Sequence, residues 1–163
     1  MRATLSRWWH YLLGKRSEVA QMDYKDAYMA KVVLDIHRKR RDKRTTRVPL
    51  ARLEPIHRID RENALRATRE RVDALRPHRE ALLATKLLDG ETLQAILPSV
   101  SAIKVVQDDG RWLAFEGNGR LYAMREVFSA DDDMQVEVEE YVFDDARSIR
   151  RRLNRVRALN RLA

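Results

Sequence analysis

The chain has 163 residues with 44% hydrophobic and 36% charged side chains and a net charge of +8, and this composition suits a helix-rich globular protein better than a disordered or fibrous one. The absence of cysteine excludes disulfide bonds, thiolate zinc sites and cysteine nucleophiles. No apolar run approaches the ~20 residues needed to span a bilayer, and the N-terminus lacks the apolar region of a signal peptide, so we expect a cytoplasmic protein with no transmembrane segment.

The first 46 residues predict a helical N-terminal arm with a basic end. Apolar positions from Val19 to Ile36 recur at steps of three and four residues, and the charged block HRKRRDKR follows them. The adjacent Trp8 and Trp9 present a large apolar surface, which we expect to contact a partner or a second copy of the chain. The alternatives are burial in the core and contact of an amphipathic segment with a membrane surface. The candidate partner or nucleic-acid contacts in this arm are Trp8, Trp9, Arg38, Arg40 and Arg41.

Residues 47–144 predict an α+β domain with a small mixed β-sheet. The segment RVPLARLEPI is typical of an edge strand, and helical spacing follows from a cap at Asp60 to Pro77. A second helical segment is predicted to end near Leu88, and a short helix precedes Pro98. The apolar runs SAIKVVQ and RWLAFE predict a hairpin because an Asp-Gly pair joins them. The alternation in MQVEVEEYVF predicts a final half-buried strand.

The segment FEGNGRLYAMR lies between the second hairpin strand and a predicted helix. Glycine permits positive φ and a close approach of the backbone to a ligand, and the first amides of a helix lack partners within the helix. A guanidinium in the first turn adds donors suited to phosphate oxygens. One interpretation is therefore a phosphate-binding turn formed by Gly117, Asn118, Gly119 and Arg120. The other is a tight strand-to-helix connection with Arg120 in solvent.

Residues 145–163 predict an arginine-rich C-terminal helix, with Asp144 as its cap. Ile149, Leu153 and Val156 fall on one face of this helix. One interpretation is a helix that packs on the sheet, and the other is a face that contacts nucleic acid through Arg150 and Arg151.

The basic residues are concentrated at both ends of the chain. Residues 1–47 carry 13 basic and 5 acidic side chains, residues 48–144 carry 13 and 19, and residues 145–163 carry 7 and 1. Because the middle is acidic, we expect any nucleic acid to contact the ends.

About 100 residues, from Arg47 to Phe143, resemble the N-terminal domain of the ParB/sulfiredoxin-like superfamily. The matching stretches are VPLARLEP, VDAL, AIKVVQDDGRWLAFEGNGRLYAMRE and MQVEVEEYV. The most specific feature is a hairpin whose second strand ends in a G-x-x-R turn, followed by a helix that begins R-x-x-A. This resemblance implies that residues 117–120 bind the phosphates of ATP or CTP, together with Mg²⁺.

The chain departs from the well-known branches of that superfamily. It lacks the cysteine that sulfiredoxins place in this turn, which excludes sulfinic-acid reduction. Because only 43 residues follow Arg120, we do not expect the helix-turn-helix module with which ParB proteins bind a centromere. The leading hypothesis is a nucleotide-binding, ParB-like protein associated with DNA through its basic ends. The alternatives are an interaction or structural subunit without a ligand, and a small-molecule kinase or nucleotidase with Glu54 or Glu116 as its base. The four histidines lack metal-ligand spacing, and no metal site formed by protein side chains is predicted.

Overall fold

A computed structural model describes residues 24–99 and 101–162 of the chain. The helices are α1 (Tyr24–Lys39), α2 (Glu62–Leu75), α3 (Arg79–Thr85), α4 (Gly90–Ile96), α5 (Asn118–Val127) and α6 (Ala146–Leu159). The strands are β1 (Asp42–Pro49), β2 (Leu53–Pro55), β3 (Leu87–Leu88), β4 (Lys104–Asp108), β5 (Arg111–Glu116) and β6 (Gln135–Val142). The described chain is therefore an α+β fold with a small mixed sheet, as the sequence predicts.

The strands form one sheet in the order β1-β6-β4-β5-β2, and β3 also pairs with β6. The pairs β1/β6 and β4/β5 are antiparallel, whereas β2/β5, β3/β6 and β4/β6 are parallel. Both β3 and β4 lie on the side of β6 away from β1. Since β3 pairs with Gln135 and Val136 and β4 with Glu139 and Glu140, the residues between them have no strand partner on that side. The sheet is therefore open between β3 and β4.

Two apolar cores lie on opposite faces of the sheet. Neighbouring residues of a strand point to opposite faces, so Val105 joins the core covered by α2 to α5, while Val106 joins the core covered by α1 and α6. The helices contribute fully or nearly fully buried apolar side chains to these cores, including Leu75, Leu93, Met124, Ile36, Leu153 and Val156. The result is a three-layer arrangement that burial of apolar surface stabilises.

The hairpin between β4 and β5 is confirmed. Asp109 and Gly110 have φ angles of 51° and 80°, the pair of left-handed conformations that the tightest hairpin turns require. The packing of α6 is also confirmed, because Ile149, Leu153 and Val156 are buried against the sheet and α1.

Several predicted boundaries are wrong. The N-cap of α6 is Asp145 and not the predicted Asp144. The side chain of Asp145 accepts a hydrogen bond from the amide of Ser148 at 3.1 Å. The helical segment predicted to continue to Leu88 ends at Thr85, because Lys86 adopts a left-handed conformation and β3 follows.

The proposed domain boundary between residues 46 and 47 falls inside β1, which pairs with β6 from Asp42 onward. The helix before it, α1, packs beside α6 on the sheet through Val32 and Ile36. The described part of the N-terminal arm therefore shares one fold with the residues that follow it.

Candidate functional site

The turn between β5 and α5 depends on a glycine at position 117. Gly117 has a φ of 92°, and a Cβ atom on it would lie 2.9 Å from Cγ1 of Ile103 and 3.1 Å from Nη2 of Arg120. A larger residue would therefore strain the backbone and displace both neighbours. The glycine leaves room for a guanidinium against the backbone of the turn.

Asn118 fixes this turn to the neighbouring strand. The residue is 3% exposed. Its Oδ1 accepts a hydrogen bond from the amide of Ile56 at 2.9 Å, and its Nδ2 donates one to the carbonyl of Ala114 at 2.8 Å. Both ends of the carboxamide are thus bonded inside the fold. Asn118 holds β2 and the turn together.

Arg120 is a buried cation without a partner in the described part of the chain. Its exposed fraction is 7%, and its guanidinium forms no hydrogen bond or ion pair with any described residue. Burial and the neighbouring charge of Arg71 lower its pKa, and the carboxylate of Glu116 offsets this only in part. Arginine nevertheless stays charged at neutral pH. A buried charge that is only partly compensated is costly, so the absence of a hydrogen-bond acceptor indicates a site for an anion.

A second arginine lies on the other side of the turn. Nη1 of Arg71, in α2, is 3.0 Å from where a Cβ of Gly119 would be, and Arg71 also forms no hydrogen bond or ion pair with a described residue. The guanidiniums of Arg71 and Arg120 therefore lie against the two glycines of the turn. Sequence reasoning missed Arg71, although it neighbours Thr68, Val72 and Leu75 on the buried face of α2.

The first amides of α5 add further donors. The first backbone hydrogen bond of this helix is donated by Leu121 to the carbonyl of Gly117 at 3.0 Å, and the amides of Gly119 and Arg120 donate to no described residue. Unpaired amides and the helix dipole place partial positive charge at this end. The N-terminus of α5 and the guanidinium groups of Arg71 and Arg120 therefore all attract an anion.

A cleft of about 440 Å³ lies beside Arg120 where the sheet is open between β3 and β4. Leu93 and Ile103 contribute apolar surface to it. Its polar lining includes Thr45, Gln94, Ser99, Ser101, Glu137 and Glu139. Its volume falls within the range of small-molecule sites.

Glu116, one of the two predicted bases, lies next to this turn, and a lysine and a histidine side chain contact its carboxylate. Its carboxylate oxygens are 2.5 Å from Nε2 of His37 and 2.6 Å from Nζ of Lys104. Burial alone raises its pKa, but the hydrogen bonds from Lys104 and His37 outweigh burial and hold the pKa below its usual value. Glu116 is therefore ionised at neutral pH and links α1 to the glycine turn.

Glu54, the other predicted base, lies in a different environment. It pairs with the guanidinium of Arg157 and, at 3.2 Å, with that of Arg111. Neither arginine forms a hydrogen bond or ion pair with Glu116 or with residues 117–120, so no direct polar contact among the described residues connects Glu54 with Glu116.

The predicted contacts at the basic ends occupy several environments. Trp8 and Trp9 lie outside the described residues. Arg38 and Arg151 are exposed and form no ion pair with a described residue. The other three arginines have partners: Arg40 donates to Tyr141 at 3.3 Å, Arg41 pairs with Asp144 at 3.3 Å, and Arg150 approaches Asp108 at 4.0 Å.

Within residues 24–99 and 101–162, no group of three or more histidine, aspartate or glutamate side chains is arranged to hold a metal ion. The described residues of the turn therefore supply no set of protein ligands for Mg²⁺, and we derive no step through the metal. None of the described helices has the length and apolar character required to cross a bilayer.

Comparison with known proteins gives no relative from which to transfer a function. No protein-family model matches the chain, and no similar protein is found among curated sequences or solved structures.

Proposed function

We propose that this protein binds a nucleoside triphosphate, ATP or CTP, with its phosphates at the turn formed by residues 117–120. The observation that carries the proposal is Arg120, a cation with 7% exposure and no acceptor among the described residues. Arg71 and the amides of Gly119 and Arg120 supply further donors for a polyphosphate. The resemblance to the ParB/sulfiredoxin-like superfamily agrees with this placement.

The surroundings of Glu116 favour binding over chemistry. A general base needs a free carboxylate oxygen within reach of the proton that it removes. Lys104 and His37 occupy one oxygen each, and both lower the pKa. Under this proposal Glu116 positions the turn. DNA association through Arg38 and Arg151 stays a prediction.

The test is nucleotide-dependent thermal stability of Arg120→Met and Arg71→Met. A ligand at 100 times its Kd stabilises the folded state by about 2.7 kcal/mol, which shifts the Tm of a domain of this size by several degrees. We expect ATP or CTP with Mg²⁺ to raise the Tm of the wild-type protein, Arg120→Met to abolish the shift and Arg71→Met to reduce it.

Arg69→Met is the matched control, because Arg69 lies exposed on the same helix as Arg71 and has no ion pair with a described residue. It should keep the full shift. A flat response of the wild-type protein to ATP, CTP and GTP would contradict the proposal and favour an interaction subunit without a ligand.

A further inference from the structure

Two carboxylates line the same cleft as Arg120. Oε1 of Glu137 accepts a hydrogen bond from the amide of Gly90 at 3.1 Å. Oε2 of Glu139 accepts a hydrogen bond from Nζ of Lys43, also at 3.1 Å. Both side chains are half-buried, and the second oxygen of each accepts no hydrogen bond from a described residue. The cleft therefore offers two free acceptors besides the donors of Arg120.

The charges of the cleft restrict what can fill it. Its charged described lining residues are Arg120, Glu137 and Glu139. A ligand that is anionic along its whole length would place negative charge beside half-buried carboxylates, where repulsion is only partly screened. Phosphates consequently suit the Arg120 end alone, and the part of the ligand beside β6 must be neutral or donate hydrogen bonds.

We infer that the ligand is a phosphoester whose non-phosphate part carries hydrogen-bond donors, and that Glu137 and Glu139 determine this specificity. Sugar hydroxyls and an exocyclic amino group of a base both supply such donors, and carboxylates accept them strongly. Leu93 and Ile103 offer apolar contact to a ring. Inorganic polyphosphate, which has no donors of this kind, binds more weakly than such a phosphoester. This inference rests on the proposed function.

The experiment is calorimetric titration of ATP, CTP and inorganic triphosphate, each with Mg²⁺, into the wild-type protein and the Glu137→Gln/Glu139→Gln variant. Glutamine keeps the size of both side chains and an acceptor for Gly90 and Lys43. We expect the better nucleotide to bind at least about tenfold more tightly than triphosphate, which corresponds to about 1.4 kcal/mol. The variant should lose about tenfold in nucleotide affinity and nothing in triphosphate affinity.

Binding of modified nucleotides shows which group of the ligand donates hydrogen bonds to Glu137 and Glu139. A 2′,3′-dideoxy nucleotide lacks the sugar hydroxyls, whereas ITP and UTP lack the amino group of ATP and CTP. The modification that weakens binding to the wild-type protein but not to the variant identifies the group that the carboxylates accept. Glu126→Gln, an exposed change on α5 outside the cleft, is the matched control and should leave all affinities unchanged.

Two results separate the inference from the proposed function. If triphosphate binds as tightly as the nucleotides and Arg120→Met abolishes both, the anion site stands and the specificity inference is wrong. If the variant binds nucleotide as well as the wild-type protein does, Glu137 and Glu139 have no such role. If neither ligand binds, both proposals fail.

Discussion

Arg120 and Arg157 are buried to nearly the same extent, with 7% and 6% exposure, but they differ in their partners. Arg157 pairs with Glu54, donates to the carbonyl of Leu162 at 2.8 Å and approaches that of Pro55 at 3.5 Å. Arg120 has no hydrogen-bond acceptor among the described residues, and the positive charge of Arg71 repels it. Arg157 therefore stabilises the fold through its ion pair and hydrogen bonds, whereas the guanidinium of Arg120 donates no hydrogen bond to a described residue.

This difference separates two uses of a buried arginine. A structural cation recovers its lost hydration through acceptors in the protein. A binding cation keeps its donors available and destabilises the empty protein until an anion arrives. Stability in the absence of ligand should therefore distinguish the two residues.

The largest effect is expected when each arginine is replaced by methionine, which retains much of the volume and removes the charge. Arg157→Met should lower the free energy of unfolding by about 3 kcal/mol, because it removes one of the two cations that pair with Glu54 and the hydrogen bonds from Arg157 to two carbonyls. Arg120→Met should raise it by about 1 kcal/mol, because it removes an unpaired buried charge. Urea denaturation without nucleotide measures both. Equal losses would mean that Arg120 is a structural residue, and the anion site would have to be abandoned.

Local features of the fold were predictable from the sequence. The β4–β5 hairpin follows from Asp109 and Gly110, and β6 follows from the alternation of Val136 and Val138 with glutamates. These signals lie within a few neighbouring residues, where turn chemistry and strand periodicity act. The position of the glycine turn between a strand and a helix was predictable for the same reason.

The rest of the site depends on contacts between distant segments. Arg71 joins the turn through the packing of α2 on α5, and His37 reaches Glu116 because α1 lies on the other face of the sheet. The two residues of β3 carry no periodicity, so their pairing with β6, which forms one side of the opening in the sheet, was missed. Such contacts arise from the packing of segments that are far apart in the chain, and no local sequence pattern predicts them.

A smaller effect should come from the glycine that accommodates the guanidinium of Arg120. Gly117 and Gly110 both have positive φ, but a Cβ on Gly110 meets nothing within 4 Å, whereas one on Gly117 meets Ile103 and Arg120. Gly110→Ala should cost about 1 kcal/mol for the left-handed conformation alone. Gly117→Ala should cost about 2 to 3 kcal/mol, because a steric contact is added.

Urea denaturation of the two glycine variants gives this difference directly. Gly117→Ala should also weaken nucleotide binding, because it displaces Nη2 of Arg120, and Gly110→Ala should leave binding unchanged. Equal costs for the two substitutions would show that the turn tolerates a side chain, and the close approach of the guanidinium to Gly117 would then be unimportant for stability.

The smallest effect concerns pH and Glu116, the carboxylate whose charge partly offsets that of Arg120. Hydrogen bonds from Lys104 and His37 hold its pKa below the usual value, so its contribution to stability is complete above the pKa of the unfolded chain, near 4.5. That contribution is lost as the pH falls through the lower pKa of the folded protein. The difference in Tm between the wild-type protein and Glu116→Gln should therefore shrink from pH 7 to pH 3. Glu126→Gln, which is exposed and has no ion pair with a described residue, should show no such change. A constant difference across this range would mean that Lys104 and His37 do not stabilise the ionised carboxylate, and that Glu116 is free to act as the base that a kinase or nucleotidase requires.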